Sequence, residues 1–320
     1  MSTKKIKSVL IIGIAGGLAK ITATLLTKMH PNIKIIGIDS RRLDFQPSSP
    51  NITLIQAKYT RSNFENIFRE HEFDSVIHLG RTSHASSNPL GSLAKRLDLN
   101  VIGTQRILDL CLKYEVKRVL ILSTFHVYGA FADNPIFLKE DAQLRADFKH
   151  PEIRDVVEMD QVSSNWMWKN QDLIKTVILR PCNIVGPSIK NAITAYLTSS
   201  LSPIPLDFNP MFQFLHEFDM ANLIAGGINK MKTGIYNVAP DDYISIRDAK
   251  KLVGKGGIPM SVFLLENAAQ FIKRAWLDGP NYLIDYIKYP CLLDNNALKT
   301  IYPDFKFRFD SKDSLGFLKD

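Results

Sequence analysis

Cysteine is scarce in this chain. Three residues, Cys111, Cys182 and Cys291, lie far apart in 320, with no Cys-x-x-Cys pair. Such usage argues against a disulfide framework and fits a reducing compartment, so a cytoplasmic location is expected. No stretch reaches the roughly 18 to 20 apolar residues of a membrane span, and no membrane partner is expected. The short run Val9–Ala15 follows N-terminal lysines but is broken by Lys20, and it reads as strand and turn, not as a secretory leader. The seven histidines show no zinc-like pairing with cysteine or carboxylate, so no metal site is expected. Long basic runs are missing too. Despite a net charge of +8, the longest clusters are Lys4-Lys5-Ile6-Lys7 and Arg41-Arg42. Nucleic acid is therefore not the expected partner, although a basic balance suits smaller anionic ligands. Internal repeats and low-complexity segments are absent.

What is present is an ordinary globular balance, 45% hydrophobic and 22% charged. Short β-branched runs alternate with longer amphipathic segments through the first 180 residues. Strands are expected at Ser8–Ile12, Ile33–Ile38, Thr53–Gln56, Ser75–Leu79, Arg118–Ser123 and Thr176–Leu179. Helices are expected at Gly17–Met29, Ser62–Glu70, Ser92–Tyr114 and Arg154–Trp168. Near-continuous apolar strands separated by helices indicate an α/β fold, a doubly wound parallel sheet buried on both faces. After Arg180-Pro181 the rhythm changes, and Pro181, Pro187, Pro203, Pro205 and Pro210 punctuate a loop-rich stretch. The expected organisation is a dinucleotide-binding region over 1–180 and a smaller substrate-binding region over 181–320, partly interleaved with it.

The first strand runs into Gly13-Ile14-Ala15-Gly16-Gly17-Leu18-Ala19, which opens a helix. Gly13 permits the tight turn, Gly16 lets backbone N–H groups approach a pyrophosphate, and Ala19 lets the helix sit on the strand. Asp39 closes the second strand at the distance where a carboxylate accepts from adenosine ribose hydroxyls. Candidate cofactor residues are Gly13, Ile14, Ala15, Gly16, Gly17, Leu18, Asp39, Ser40 and Arg41. A carboxylate at 39 favours NAD, while Arg41 and Arg42 could hold the 2′-phosphate of NADP.

Several segments together resemble the extended short-chain dehydrogenases/reductases. They are the glycine turn, Val76-Ile77-His78-Leu79-Gly80, Asn100-Val101-Ile102-Gly103-Thr104, Ser123–Gly129 and Leu179–Pro187. Phe214–Asp219, Tyr236–Ala239 and Tyr289–Asp294 extend the likeness, which is with the NAD-dependent epimerase/dehydratase family and its UDP-glucose 4-epimerase-like subgroup. The resemblance implies a Rossmann-type fold, a nicotinamide cofactor, a sugar-like or nucleotide-sugar substrate, a homodimer built partly on the helix of Trp166, Met167 and Trp168, and hydride transfer. It places Leu79, Gly80, Arg81, Asn100, Ser123 and Pro181 around the cofactor, and His126, Cys182 and Asn183 by the substrate. Thr124 falls where the family keeps a catalytic Ser or Thr.

Departures from the family pattern are as informative. Its chemistry uses a Tyr and a Lys one helical turn apart, the ammonium lowering the phenol's pKa. Here Glu152 stands at the Tyr position and Val156 at the Lys position, and no Tyr lies between Tyr128 and Tyr196. Glu152 is a candidate acid–base group if burial raises its pKa, and otherwise a helix-start carboxylate. The pattern Tyr302-Pro303-Asp304-Phe305-Lys306 has a proline hostile to the required helix. Lys58 stands where many relatives place an Asp near the adenine, and Phe212 where many place an Arg for a diphosphate. The chain is thus expected to be either an epimerase/dehydratase-like oxidoreductase or isomerase with a non-standard site, or a dinucleotide-binding pseudoenzyme acting as sensor or scaffold.

Overall fold

A computed structural model of the chain describes residues 6–80, 93–261, 263–264 and 282–319. Seven strands make the central sheet: β1 (Ser8–Ile12), β2 (Lys34–Asp39), β3 (Ile52–Gln56), β4 (Ser75–His78), β5 (Arg118–Leu122), β6 (Lys175–Pro181) and β7 (Gly234–Val238). Their order is β7-β6-β5-β4-β1-β2-β3, and every adjacent pair is parallel. The order reverses at β1, between β4 and β2, which opens a crevice at the carboxyl ends of these strands. Register makes that crevice sharp. Ile12 pairs with Ile38 on one side and with His78 on the other, so the chain leaves all three strands at one edge.

Alternation along β1 explains why both faces are covered. Val9 and Ile11 join the cluster under helices α1 (Gly17–Met29) and α5 (Glu217–Lys230), whereas Leu10 and Ile12 join the opposite one. That second cluster lies under α2 (Arg61–Glu70), α3 (Gly103–Lys113) and α4 (Arg154–Lys169), and includes Phe64, Phe68, Ile107, Leu108, Trp166 and Met167. All four of these apolar side chains are fully shielded from water. Truncating a leucine so placed costs about 2–5 kcal/mol, transfer and cavity together.

Two features differ from the expected elements. The helix expected over Ser92–Tyr114 is interrupted: a turn at Leu93–Arg96 passes into a π-helical stretch, Leu97–Ile102, before α3 begins. Such widened turns re-aim a side chain, and Asn100 lies within this one. Strand β7 comes from the loop-rich part of the chain and pairs with β6 from Gly234↔Val177 to Val238↔Pro181. Its central polar residue, Asn237, is fully buried because the Tyr128 hydroxyl donates to its Oδ1 at 2.7 Å and its Nδ2 donates to the Leu138 carbonyl at 2.9 Å.

Beyond β6 the chain forms short two-stranded ladders, among them Asn183–Val185 parallel to Phe214–His216. A third apolar cluster, with Tyr196, Phe212, Phe214 and Ile246, sits beneath them. Among the described residues no helix is long and apolar enough to cross a membrane.

Candidate cofactor and active site

Gly13 adopts φ +90°, a conformation open to glycine and strained for other residues. The position is also crowded: a Cβ there would lie 2.6 Å from the Gly80 Cα and 2.7 Å from its N. The two glycines therefore let the turn after β1 and the turn after β4 touch. Gly13 N donates to Ile38 O at 2.8 Å and Gly16 N donates to Gly13 O at 3.0 Å, closing the loop. Helix α1 then starts at Gly17 with no side-chain cap and no acid in its first turn. A helix start with neither cap nor acid of its own is the arrangement that receives a phosphate. Ile14 is buried over Gly37, where an added Cβ would come within 2.5 Å of the isoleucine side chain. Leu18 is buried in the core under α1.

The mouth of the turn is closed on one side by the loop after Val185. A Cβ on Gly17 would lie 2.3 Å from Ser188 O, and Ser188 N donates to both carboxylate oxygens of Glu217 at 3.2 and 3.0 Å. Burial pushes the Glu217 carboxyl above its ordinary pKa, with the Ser188 bonds opposing it.

Asp39 sits at the end of β2 with its side chain 3% exposed. Ala15 N donates to its Oδ2 at 3.1 Å, tying the carboxylate to the glycine turn. Burial alone would raise its pKa, but the hydrogen bonds and charge of Arg41 outweigh burial and hold it below the usual value. Ser40 and Arg41 are exposed beside it. Leu79 N donates to Ile12 O at 3.0 Å, continuing the β1–β4 ladder into the crevice. Arg81 lies outside the described residues.

Sequence reasoning missed Tyr59. Its hydroxyl would lie 2.7 Å from a Cβ on Gly80, and its ring packs on Phe64 at a centroid distance of 5.4 Å. Burial raises its pKa well above the ordinary phenol value, with Asp39 adding to the rise. Only the glycine crossing reveals this contact, because it joins two turns apart in sequence.

Further along the crevice, Thr124 is 5% exposed and caps a 3₁₀ turn, Phe125–Tyr128. Its Oγ1 lies 2.9 Å from His126 Nδ1. The His126 ring packs against Tyr286 and Tyr282, with centroids at 4.8 and 5.7 Å. The Tyr286 hydroxyl donates to the His126 carbonyl at 2.5 Å, so the turn is held from the C-terminal part of the chain. Asn100, 1% exposed, donates through Nδ2 to Asp155 Oδ2 at 2.6 Å. Asp155 is on α4, one residue before Val156, and Arg96 Nε approaches its other oxygen at 3.5 Å.

Ser123 is 1% exposed. Its hydroxyl donates to Asp160 Oδ2 at 2.5 Å, and Asp160 is held by Arg180 through NH2 at 2.6 Å and Nε at 3.0 Å. This buried ion pair fixes α4 to β5 and β6, and thereby sets where residues 152–156 fall. Val156 is apolar and 4% exposed. The Glu152 side chain is 37% exposed and lies 3.6 Å from His150 Nδ1, while its carbonyl accepts from Arg96 NH2 at 2.7 Å. The burial that acid–base work by Glu152 called for is not there.

Pro181 ends β6 opposite Val238. Cys182 is buried, and burial pushes its thiol pKa far up, so it packs as a neutral side chain. Asn183 Nδ2 donates to Gln213 O at 3.2 Å, and Phe212 stacks on Phe214 at 6.1 Å, which commits both segments to packing. Tyr302 packs on Phe305 at 5.8 Å and would meet a Cβ on Gly226 of α5 at 2.7 Å.

Comparisons with known proteins agree with this geometry. A family model, the NAD dependent epimerase/dehydratase family, matches residues 9–239. An uncharacterised protein of Mycobacterium tuberculosis is 27% identical over 214 residues, 65% of this chain and 56% of that protein. The chain thus spans just over half the length of that curated relative. A dTDP-D-glucose 4,6-dehydratase of Dictyostelium discoideum is 33% identical over 135 residues, 39% of this chain and 30% of that protein. In fold, the chain is similar to a UDP-glucose 4-epimerase of Thermotoga maritima solved with UDP-glucose, with TM-score 0.75, 16% identity and 97% of each chain covered. It is likewise similar to a dTDP-glucose 4,6-dehydratase of Bacillus anthracis solved with NAD, with TM-score 0.74, 16% identity, and 98% and 95% of the two chains covered. With the family model covering most of its length and the glycine turn, Asp39 and the crevice in place, this chain belongs to the NAD-dependent epimerase/dehydratase family.

Proposed function

We propose that the chain binds NAD in the crevice and acts on the hydroxyl of a sugar-like substrate, a nucleotide sugar in the first instance, through a site in which Thr124 and His126 do the proton work. The observation that carries this reading is the pairing of an uncapped α1 N-terminus with the Gly13–Gly80 crossing, which keeps side chains out of the space where a dinucleotide backbone would pass. Gly13 to Leu18 would hold the pyrophosphate, Asp39, Ser40 and Arg41 the adenosine ribose, and Leu79, Gly80, Asn100, Thr124 and Pro181 the nicotinamide side. NAD, when bound, supplies a hydride acceptor. Arg81 is assigned to the same wall by resemblance alone. Ser123 supports the wall indirectly, through Asp160.

A hydroxyl that loses a hydride must also lose its proton. Thr124 can accept that proton at Oγ1 while passing its own to Nδ1 of His126, 2.9 Å away, when the imidazole carries its hydrogen on Nε2. Cys182 and Asn183 would border the sugar. We assign residues 1–180 to the cofactor and 181–320 to the substrate, with β7 as the strand by which the second region enters the sheet of the first. The unpaired cysteines suit a cytoplasmic protein.

A second reading has its own support. Val156 leaves no ammonium where the family pattern places one, and Glu152 stays open to water; on this reading the chain retains the cofactor and lacks the reaction, as a sensor or scaffold. Incubation with NAD and a panel of UDP- and dTDP-hexoses, followed by chromatography, separates the two. Formation of an epimer or a keto sugar supports the enzyme; NAD binding without conversion of any substrate supports the pseudoenzyme.

We also propose a homodimer. Trp166 and Met167 are buried in this chain's own core, but Trp168 on the same helix is 51% exposed, and Ile102 and Leu112 on the adjacent helical segment are 42% and 36% exposed. Light scattering after gel filtration should give twice the chain mass, and Trp168→Glu should lower it; a monomeric wild type would contradict the proposal.

A further inference from the structure

The turn that carries His126 is held by three side chains from one stretch in the C-terminal part of the chain. The Tyr286 hydroxyl donates to the His126 carbonyl at 2.5 Å, and the Cys291 thiol donates to the Gly129 carbonyl at 3.5 Å. The Tyr282 ring stands edge-on to the imidazole, at 5.7 Å and 81°. These residues lie on and beside helix α6 (Leu283–Lys288). Two of the turn's own backbone bonds are longer, 3.4 Å from Val127 N to Thr124 O and 3.2 Å from Gly129 N to His126 O.

Tyr286 holds the ring as well as the backbone. It packs on the imidazole at 4.8 Å and meets Phe125 edge-on at 5.7 Å, while Phe125 lies 4.1 Å from the imidazole. Three aromatic rings thus bound His126 in the rotamer that brings Nδ1 within 2.9 Å of Thr124 Oγ1. Tyr286 is 4% exposed, and burial pushes its phenol far above the ordinary value, so it stays a neutral donor.

Helix α6 is anchored in turn to the segment that leads into α4. Asp285 pairs with His150 Nε2 at 2.6 Å and accepts from Lys149 Nζ at 2.7 Å. Burial alone would raise the Asp285 pKa, but the hydrogen bonds and charge of His150 and Lys149 outweigh burial and hold it below the usual value. His150 precedes the turn Pro151–Ile153, and its carbonyl accepts from Ile153 N at 3.0 Å. One short helix therefore grips the His126 turn through Tyr286 and the approach to α4 through Asp285.

We propose that Tyr286 is a positioning residue for the Thr124–His126 pair, fixing the imidazole so that Nδ1 stays an acceptor for the Thr124 hydroxyl, and that Asp285 fixes Tyr286. A proton passes between the two side chains only at hydrogen-bond distance, and a displacement of about 1 Å lowers a rate by up to roughly a hundredfold. The inference rests on the reading of Thr124 and His126 given above and names what holds them in register.

Nitrogen-15 NMR of histidine-labelled protein tests it without substrate, with His126→Gln used to assign the ring. At alkaline pH the wild type should show one neutral tautomer at His126, with its hydrogen on Nε2. Tyr286→Phe keeps the ring and removes the donor, and both tautomers should then appear. Asp285→Asn should do the same through a shift of α6. In turnover of a sugar substrate, Tyr286→Phe should lose roughly ten- to a hundredfold in kcat with KM within about threefold of wild type. Loss of packing alone would lower the urea midpoint and leave the tautomer ratio and kcat where they were. A single Nε2–H tautomer in Tyr286→Phe, or an unchanged kcat, would overturn the proposal. A wild type that converts no sugar would remove the proton-transfer reading, and the nitrogen shifts would still decide whether Tyr286 positions the ring.

Discussion

Thr124 Oγ1 lies 2.9 Å from Nδ1 of His126, and the backbone N–H of His126 approaches the same hydroxyl at 3.4 Å. Hydroxyl and imidazole thus belong to one short turn, held from outside by Tyr286. In a chain whose neighbouring helix offers Val156 where the family pattern calls for an ammonium, this pair is the proton-handling group we propose for the crevice.

From that pair follows the first prediction. Thr124→Val and His126→Gln should each reduce turnover of a sugar substrate by roughly a hundred- to ten-thousandfold, the range of a lost general acid or base. NAD affinity should stay within about threefold of wild type, because neither side chain is placed at the phosphate turn. Steady-state rates with calorimetric binding check both halves. Full activity in both variants would remove the relay from the account.

A different prediction concerns Gly13. Alanine there must adopt φ +90° and place a Cβ 2.6 Å from the Gly80 backbone. Strain of this kind costs of order 1–3 kcal/mol, so Gly13→Ala should lower unfolding free energy by at least that much in urea. It should also weaken NAD binding, since the two turns can no longer touch. A variant as stable as wild type would contradict the geometry of the crossing.

The Arg180–Asp160 pair is 2% and 0% exposed at its side chains. Breaking it from one side leaves a buried charge alone, which costs roughly 3–5 kcal/mol. Arg180→Met should therefore destabilise strongly, and adding Asp160→Leu should restore part of the loss. Urea midpoints of the single and double variants decide it; a double variant no better than the single would mean that the network's other partners, Ser123 and Tyr128, carry the effect.

Acid should act on His78. Burial lowers its pKa to about 4, and its Nε2 is paired with the Thr104 hydroxyl at 2.9 Å. Because the folded value is depressed below the ordinary 6.5, the unfolded chain binds the proton first as pH falls. The contribution is complete above pH 6.5 and is lost on the way down to about 4, up to roughly 3 kcal/mol in all. Unfolding free energies measured from pH 7 to 4.5 should decline in wild type and decline less in His78→Phe. Parallel curves would show that His78 does not titrate as described.

The sheet was legible because each inner strand is a near-continuous apolar run, and five of the six expected strands begin and end within a residue of the observed ones. Strand β7 was not, since Gly234 and the buried Asn237 look like loop until Tyr128 and Leu138 arrive to satisfy the amide. Likewise, the amphipathic pattern over 92–114 shows helix but not the π-helical widening at Leu97–Ile102, which depends on where Asn100 meets Asp155. In the site, the glycine spacing and Asp39 announced themselves by position in the βαβ unit. The capture of Asp39 by Arg41 depends on a rotamer, and the reach of Tyr59 to Gly80 on a contact between distant turns. Neither leaves a spacing to read.

The most direct measurement is a calorimetric titration of the purified chain with NAD, after any copurifying cofactor has been removed. The account predicts saturable binding of one NAD per chain in the micromolar range, weakened in Gly13→Ala. No heat with NAD, NADH, NADP or NADPH, from a folded wild-type protein, would contradict it.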